Sequence, residues 1–417
     1  MTDQLSSTPA TSAATTMDKV IGRLQARSLQ TGGARQMYEK TIAGLDGPRV
    51  RFTDGTNPLM LATYDYLGLL DDVRINQAVK DAVDAFGTGG HGSRVWGATL
   101  TLHRRLEQEI AEWVGKEAAL VFASGFVTNS STIASLAGPG DWVLSDQRNH
   151  ASIVDGCAAA KSAGAIVKVY RHNDASHLEE LLAQAPPDAA KVVVTDGVFS
   201  MDGNLVDLPG VARACRRHGA LLFLDEAHSL GIIGPHGRGT PDHYGLPDTG
   251  DLVMGTLSKS IPASGGFVAG RRDLIEALRF TTRAYVYTGA PSPPNTAAAL
   301  TAIRLVQEEG DRRRALLHRN LDRLLHRVRQ EGLRTTDTGS AIVPIILGEN
   351  AVAIEVSRLC QEQGLFVLAA VPPLVPAGTA RLRLNVTAAQ SLADIDRAID
   401  IIAGAVRRVA AGPLVVR

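Results

Sequence analysis

Two short runs of this chain place reactive side chains directly after small and apolar residues. Leu224-Asp-Glu-Ala-His-Ser229 carries Asp225 and His228, and Gly255-Thr-Leu-Ser-Lys-Ser260 carries Lys259 among hydroxyls. Buried parallel strands that present functional groups at their carboxyl ends have this pattern. A lysine can hold an aldehyde as an imine, an acid can bind a ring N–H, and hydroxyls can donate to a phosphate. The two runs therefore predict a pyridoxal-phosphate site.

The neighbours of Lys259 and Asp225 predict that both side chains are buried. Lys259 ends a run of small and apolar residues, and burial makes a lysine lose its proton more easily. Asp225 follows Leu221-Leu-Phe-Leu224, where an isolated carboxylate would be costly. A protonated pyridine nitrogen would offset that cost and keep the ring an electron sink. A purely structural buried aspartate is the alternative.

Composition excludes several classes of function. The 417 residues include 43 basic and 43 acidic side chains, so no net field attracts nucleic acid or an anionic membrane. The sequence has no apolar run of the roughly 18 residues that a spanning helix needs, so no stable membrane insertion is expected. Cys157, Cys215 and Cys360 lie far apart, without the spacing of a metal site. We expect a cytoplasmic protein with reduced cysteines and no metal.

Strand-like and helical segments alternate through the middle of the chain, which predicts an α/β fold with a mostly parallel sheet. The seven strand-like runs are 118–122, 142–145, 165–170, 191–195, 220–225, 252–256 and 266–269. The predicted organisation is a disordered tail (1–17), an N-terminal arm and hairpin (18–65), a large cofactor-binding domain (66–300) and a small C-terminal α+β domain (301–417).

Nine motifs occur in one order over residues 64–390. They are Tyr66-Leu-Gly68, Gly92-Ser-Arg94 with Gly97 and His103, Ser124-Gly-Phe126, Asn149-His-Ala-Ser-Ile153, Asp196-Gly-Val-Phe-Ser-Met-Asp-Gly203, Asp225-Glu-Ala-His228, Gly237-Arg-Gly239, Thr256-Leu-Ser-Lys259, and Val375-Pro-Ala-Gly378 leading to Arg381-Leu-Arg383. In this series the chain resembles the α-oxoamine synthases, a family of fold-type I pyridoxal-phosphate enzymes. The resemblance implies a homodimer with a shared active site, and an amino acid and an acyl thioester as substrates.

The resemblance also implies roles for polar residues around the cofactor ring. Lys259 would form the imine, and Asp225 would bind the pyridine nitrogen. His150 would stack on the ring face. His228 would donate to the phenolic oxygen, with Ser200 assisting.

The cofactor phosphate needs backbone N–H groups at a helix start and nearby hydroxyls. Ser124-Gly-Phe126, with Gly125 at its centre, lies between a strand-like run and an Ala/Leu-rich helix, and so supplies that start. Thr256 and Ser258 supply hydroxyls. By resemblance, Thr288 would reach the site across the dimer interface.

Arg383 resembles the arginine that binds the substrate carboxylate through a bidentate fork. Arg381 lies two residues earlier on the same strand face and is the competing candidate. Tyr64 stands where the glycine-using and alanine-using members carry an asparagine that contacts the amino acid. Serine palmitoyltransferases carry a similar tyrosine, so we expect serine or alanine sooner than glycine. A bulky phenol that narrows the pocket would instead favour glycine.

The implied reaction is a decarboxylative condensation of an amino acid with an acyl thioester to give an α-aminoketone. Coenzyme A or an acyl-carrier protein could deliver the acyl group. Two other interpretations are a fold-type I aminotransferase and a catalytically silent partner subunit. The aminotransferase predicts a 2-oxo acid and no thiol release, whereas the silent subunit is expected to lack the lysine that is present here as Lys259.

Overall fold

A computed structural model describes residues 11–31 and 34–411, with side chains from Thr16 onwards. The strands are β1 (Ile42–Asp46), β2 (Arg49–Phe52), β3 (Leu59–Met60), β4 (Ala118–Phe122), β5 (Trp142–Asp146), β6 (Ile166–Tyr170), β7 (Lys191–Asp196), β8 (Leu221–Asp225), β9 (Leu252–Ser258), β10 (Pro262–Gly270), β11 (Ile342–Gly348), β12 (Leu365–Phe366), β13 (Ala369–Ala370) and β14 (Ala380–Asn385).

Helices connect most of these strands. They are α1 (Thr11–Arg27), α2 (Val73–Phe86), α3 (Thr101–Val114), α4 (Gly125–Leu136), α5 (Ala151–Ser162), α6 (Ala175–Leu182), α7 (Leu208–His218), α8 (Thr240–His243), α9 (Arg272–Thr281), α10 (Arg283–Val286), α11 (Pro293–Gln330), α12 (Asn350–Glu362) and α13 (Leu392–Ala411).

The central sheet has seven strands in the order β4-β10-β9-β8-β7-β5-β6. Neighbouring strands from β6 to β9 pair in parallel, whereas β10 is antiparallel to both β4 and β9. The middle strands of the seven-stranded sheet are almost continuously apolar and buried, because helices cover both faces of the sheet. This confirms the predicted mostly parallel seven-stranded sheet.

Two smaller sheets complete the fold. One has the order β11-β14-β13, and the other has the order β1-β2-β3-β12. The N-terminal hairpin forms as predicted, since β2 pairs antiparallel with β3. However, β3 also pairs in parallel with β12, with Leu59 opposite Leu365. The hairpin is therefore joined to the C-terminal part of the chain rather than standing in a separate arm.

A helix corrects one predicted boundary, and another predicted boundary falls inside a helix. Residues 11–17, placed in a disordered tail, are the start of α1, while residues 1–10 lie outside the described residues. The division between 300 and 301 falls inside α11, a single helix of 38 residues. Apolar side chains of α11 such as Ile303 and Leu324 belong to one core cluster with β11 and β14, which explains why this helix is not divided. Within the described ranges, no helix combines the length and apolarity needed to cross a bilayer.

Candidate active site

The carboxyl ends of β8 and β9 bring Asp225 and Lys259 to one edge of the sheet. Asp225 is the last residue of β8, and Lys259 directly follows β9, its parallel neighbour. His228 lies in the turn after β8, and its Nε2 is 2.9 Å from Lys259 Nζ. The structure therefore brings together the acid, the histidine and the lysine predicted from the two runs.

The Lys259 amine lies in an environment that disfavours its charge. The pKa of Lys259 is lowered to about 8: burial is the largest cause, the Asp225 carboxylate opposes it, and the Arg383 guanidinium acts in the same direction as burial. An amine with this pKa is partly unprotonated near neutral pH, which is the form that attacks an aldehyde and accepts a proton.

Asp225 is buried and accepts hydrogen bonds from two uncharged donors. Asn129 Nδ2 is 2.6 Å from one carboxylate oxygen, and the backbone N–H of Ala227 is 2.9 Å from the other. No arginine, lysine or histidine forms an ion pair with Asp225 in the described part of the chain. A buried carboxylate that forms no ion pair with the protein fits a protonated ring nitrogen, as the predicted cofactor requires.

His150 caps the start of α5 and lies near the same edge. Its Nδ1 is 2.7 Å from Ser152 Oγ, and its backbone N–H donates to Asp196 Oδ2 at 3.1 Å. Burial lowers the pKa of the His150 ring, which favours a neutral imidazole. Phe126 meets the ring edge to face, with centroids 6.2 Å apart. A flat, neutral ring at this position suits stacking on an aromatic cofactor.

The residues predicted to bind the cofactor phosphate lie together where the start of α4 meets β9. Ser124 caps α4, with its Oγ 3.4 Å from the backbone nitrogen of Val127. Gly125 is needed here, because a Cβ would lie 2.9 Å from Thr256 Oγ1. Thr256 Oγ1 in turn lies 2.9 Å from Ser258 Oγ. A helix N-terminus beside two hydroxyls has the donors that a phosphate group binds.

Arg383, on β14, faces this edge from the three-stranded sheet. Its Nε donates to the backbone carbonyl of Ser200 at 2.6 Å, whereas its buried Nη2 has no hydrogen-bond partner in the structure. The Tyr64 ring lies against it, 5.4 Å from Arg383 Cζ and 5.5 Å from Lys259 Nζ. Ser200 thus contributes its backbone carbonyl group to this contact. The unpaired Nη2 is the donor that a substrate carboxylate would require.

Arg381 lies on the same face of β14, but its guanidinium is occupied by the protein. Its Nη1 donates to Asp202 Oδ1 at 2.6 Å and to the backbone carbonyl of Met201 at 3.1 Å. Its Nε donates to the carbonyl of Thr379 at 3.0 Å. The contacts therefore favour Arg383 over Arg381 for binding a carboxylate.

Thr288 is exposed, and its hydroxyl donates to the carbonyl of Ala284. Among the described residues of a single chain, no hydrogen bond joins Thr288 to the residues around Lys259. A β-bridge between Ser93 and Gly289 holds the neighbouring backbone against the glycine-rich segment that follows α2. A role for Thr288 therefore requires a second protomer.

Two residues that the sequence reasoning missed complete the site. Asn129, in the second turn of α4, bonds both Asp225 and Ser152, at 2.6 Å and 2.9 Å. Tyr66 bonds His228 Nδ1 at 2.9 Å. Tyr66 belongs to a recognised motif, but its contact joins residues far apart in the chain. For Asn129, the sequence offered only its position, one helical turn after the predicted phosphate-binding residues, and no motif that would indicate a role in the site.

The fold and the site define a pyridoxal-phosphate-dependent transferase of fold type I. The aminotransferase class I and II family model matches residues 56–402. A serine palmitoyltransferase from Sphingomonas wittichii superposes with a TM-score of 0.87 at 34% identity, over 97% of this chain and 100% of that one. A lysine-to-alanine variant of serine palmitoyltransferase from S. paucimobilis, solved with a bound PLP–myriocin aldimine, gives a TM-score of 0.88 at 33% identity, over 95% of this chain and 98% of that one.

Curated relatives narrow this class. A serine palmitoyltransferase from Sphingobacterium spiritivorum is 38% identical over 83% of this chain and 86% of its own length. An 8-amino-7-oxononanoate synthase from Geobacter sulfurreducens is 39% identical over 86% of this chain and 91% of its own length. The chain belongs to the α-oxoamine synthases, within the aminotransferase class I and II family. It is an acyltransferase that condenses an amino acid with an acyl thioester, and the aminotransferase and silent-subunit interpretations are not favoured.

Proposed function

We propose that this enzyme joins an amino acid with a side chain, serine or alanine sooner than glycine, to an acyl thioester. The observation that carries the proposal is the buried, unpaired Nη2 of Arg383 beside Tyr64 and Lys259. One guanidinium can bind the amino-acid carboxylate, and one amine can take a proton from its Cα atom. We infer that the Tyr64 ring, which lies near both groups, contacts the amino-acid side chain.

Bound pyridoxal phosphate supplies an electron sink for the carbon that loses its proton. Lys259 and Asp225 would hold this group, together with His150, His228 and the phosphate-binding residues Ser124, Gly125, Phe126, Thr256 and Ser258. The Lys259 amine accepts the Cα proton because its lowered pKa, about 8, leaves a usable fraction unprotonated. The buried Asp225 carboxylate would keep the ring nitrogen of that group protonated.

Arg383 orients the amino acid during the reaction. Because its Nε is already bonded to the Ser200 carbonyl, the guanidinium plane is fixed before substrate binds. Carbon–carbon bond formation releases a thiol, and the carboxylate then leaves as carbon dioxide. Retention of the carboxylate by Arg383 until that step would order the two events.

A homodimer in the cytoplasm is the assembly that supports this chemistry. Thr288 and the neighbouring Tyr287 ring, which is 80% exposed, lie on the surface of a single chain. We propose that Thr288 completes the phosphate site of a second copy. The acyl carrier is coenzyme A or an acyl-carrier protein, and mixing each thioester with the enzyme distinguishes them.

The test is a screen of glycine, alanine and serine against acyl thioesters, following free thiol and carbon dioxide together. We expect equal amounts of both products, with serine or alanine as the better substrate. Release of thiol without carbon dioxide, or formation of a 2-oxo acid, would contradict the proposed reaction.

Tyr64→Asn tests the amino-acid preference, because it restores the side chain of the glycine and alanine users. We expect the ratio of kcat/KM for serine over glycine to change by about tenfold, the size of one side-chain contact in a pocket. Tyr64→Phe is the matched control that keeps the ring and removes only the hydroxyl. If glycine is the best substrate and Tyr64→Asn changes nothing, Tyr64 does not determine specificity.

A further inference from the structure

Tyr66 lies fully buried behind the reactive lysine, at the end of a short chain of hydrogen bonds. Its hydroxyl is 2.9 Å from His228 Nδ1, and His228 Nε2 is 2.9 Å from Lys259 Nζ. We propose that Tyr66 is a positioning residue that acts through His228. By donating to Nδ1, it keeps the imidazole proton on Nε2 and directs that N–H at the reacting nitrogen. This inference deepens the proposed function and rests on it.

The direction of the first hydrogen bond follows from the single proton of the phenol. Burial raises the pKa of Tyr66 to about 12, so the hydroxyl keeps its proton. His228 Nδ1 is the acceptor that the described residues place within hydrogen-bond distance of it. The Arg383 guanidinium, which acts on the Tyr66 hydroxyl, can only donate and so cannot accept the phenol proton. If Nδ1–H donated instead, a buried phenol proton would lack an acceptor, which is costly.

The imidazole is neutral, so its two nitrogens have opposite roles. Burial holds the pKa of His228 well below its usual range, and the positive charges of Lys259 and Arg383 and the His150 ring act in the same direction. A neutral ring carries one N–H. With Nδ1 accepting from Tyr66, that N–H is on Nε2.

An Nε2–H group selects one protonation state of Lys259. It can donate to the lone pair of a neutral amine, but it cannot accept from an ammonium group. The tautomer set by Tyr66 therefore favours the neutral lysine, beyond the effect of burial. Removing the hydroxyl should let the proton move to Nδ1, leaving Nε2 free to accept from a protonated Lys259.

The tautomer is measured directly by 15N NMR of histidine-labelled full-length protein, with and without pyridoxal phosphate. His228→Gln identifies the His228 signals. We expect an Nε2–H ring in the wild type and a shift towards the Nδ1–H form in Tyr66→Phe. Tyr170→Phe is the matched control, because Tyr170 is also fully buried but lies in the core cluster around β5 and β7. An Nδ1–H ring in the wild type, or an unchanged ring in Tyr66→Phe, would overturn the proposal.

A second measurement follows the Lys259 amine in protein free of cofactor. Its reaction rate with a small amine-modifying reagent, measured against pH, gives the pKa of that amine. Tyr66→Phe should raise this pKa by about one pH unit, the size expected for one lost hydrogen bond. Site-specific 3-fluorotyrosine at position 66, which strengthens the O–H donor, should lower it and remains informative if Tyr66→Phe does not fold. A pKa unchanged in both variants would overturn the proposal. Neither readout uses amino acid or thioester, so failure here is distinct from failure of the proposed reaction.

Discussion

The two sheets that border the site differ in how they present their charged groups. At the edge of the seven-stranded sheet, functional side chains are already bonded to other protein groups, as in Lys259 to His228 and Asp225 to Asn129. On the three-stranded sheet, Arg383 retains a buried donor with no partner. The first edge is organised before any ligand arrives, whereas we propose that an anion completes the second. The difference separates residues that prepare the chemistry from residues that recognise the substrate.

Lys259→Ala should have the largest effect, because it removes the amine on which the first edge is built. We expect kcat/KM to fall by about 10⁴-fold or more, the upper range for loss of a proton-transfer group. The variant should also lose the covalently bound, borohydride-reducible cofactor. Lys116→Ala is the control, since burial also lowers the pKa of Lys116. A reducible adduct that persists in Lys259→Ala would assign the imine to another lysine.

Arg383→Ala should have a smaller effect, concentrated on substrate binding. We expect kcat/KM for the amino acid to fall by about 10-fold to 100-fold, as for one charge-assisted hydrogen bond of about 1.5–3 kcal/mol. Arg381→Ala is the matched partner on the same strand. The Arg381 guanidinium bonds Asp202 and two backbone carbonyls. Arg381→Ala should therefore lower the melting temperature and leave the KM for the amino acid nearly unchanged. The reverse pattern, measured by steady-state kinetics and thermal unfolding, would exchange their roles.

The smallest effect concerns the pH dependence of cofactor attachment. The neutral amine of Lys259 is the form that reacts, and burial lowers its pKa to about 8. As pH rises from 7 to 8, the neutral fraction and hence the attachment rate should increase about fivefold, and then level off. Stopped-flow absorbance after mixing protein with pyridoxal phosphate measures this. A rate still rising steeply at pH 10 would show that the amine titrates as in an exposed lysine.

The cofactor half of the site could be predicted because it lies at the ends of buried strands. Apolar runs before Asp225 and Lys259 determine both the strand and the direction of its last side chain. The choice between Arg381 and Arg383 could not be made in this way, since both have the same place in the strand pattern. It depends on Asp202 and on the carbonyl of Ser200, which follow a different strand.

The predicted organisation meets the same limit. The boundary at 300/301 falls within α11, and a helical pattern in the sequence does not show where one domain ends and the next begins. The partnership of β3 with β12 could not be predicted, because strands of two residues have no periodic pattern. The contact of Tyr66 with His228 joins residues 162 positions apart, so no local sequence pattern predicts it.

The pairing of β3 with β12 has a consequence for synthesis on the ribosome. Leu59 emerges roughly 300 residues before Leu365, its partner in the ladder. At translation rates of about 5–20 residues per second, the first strand waits for about 15 to 60 seconds. During that time its unpaired edge can bond to other nascent chains. Slow translation or a shortage of chaperones should therefore reduce the yield of this enzyme through its N-terminal hairpin, although every catalytic side chain lies downstream.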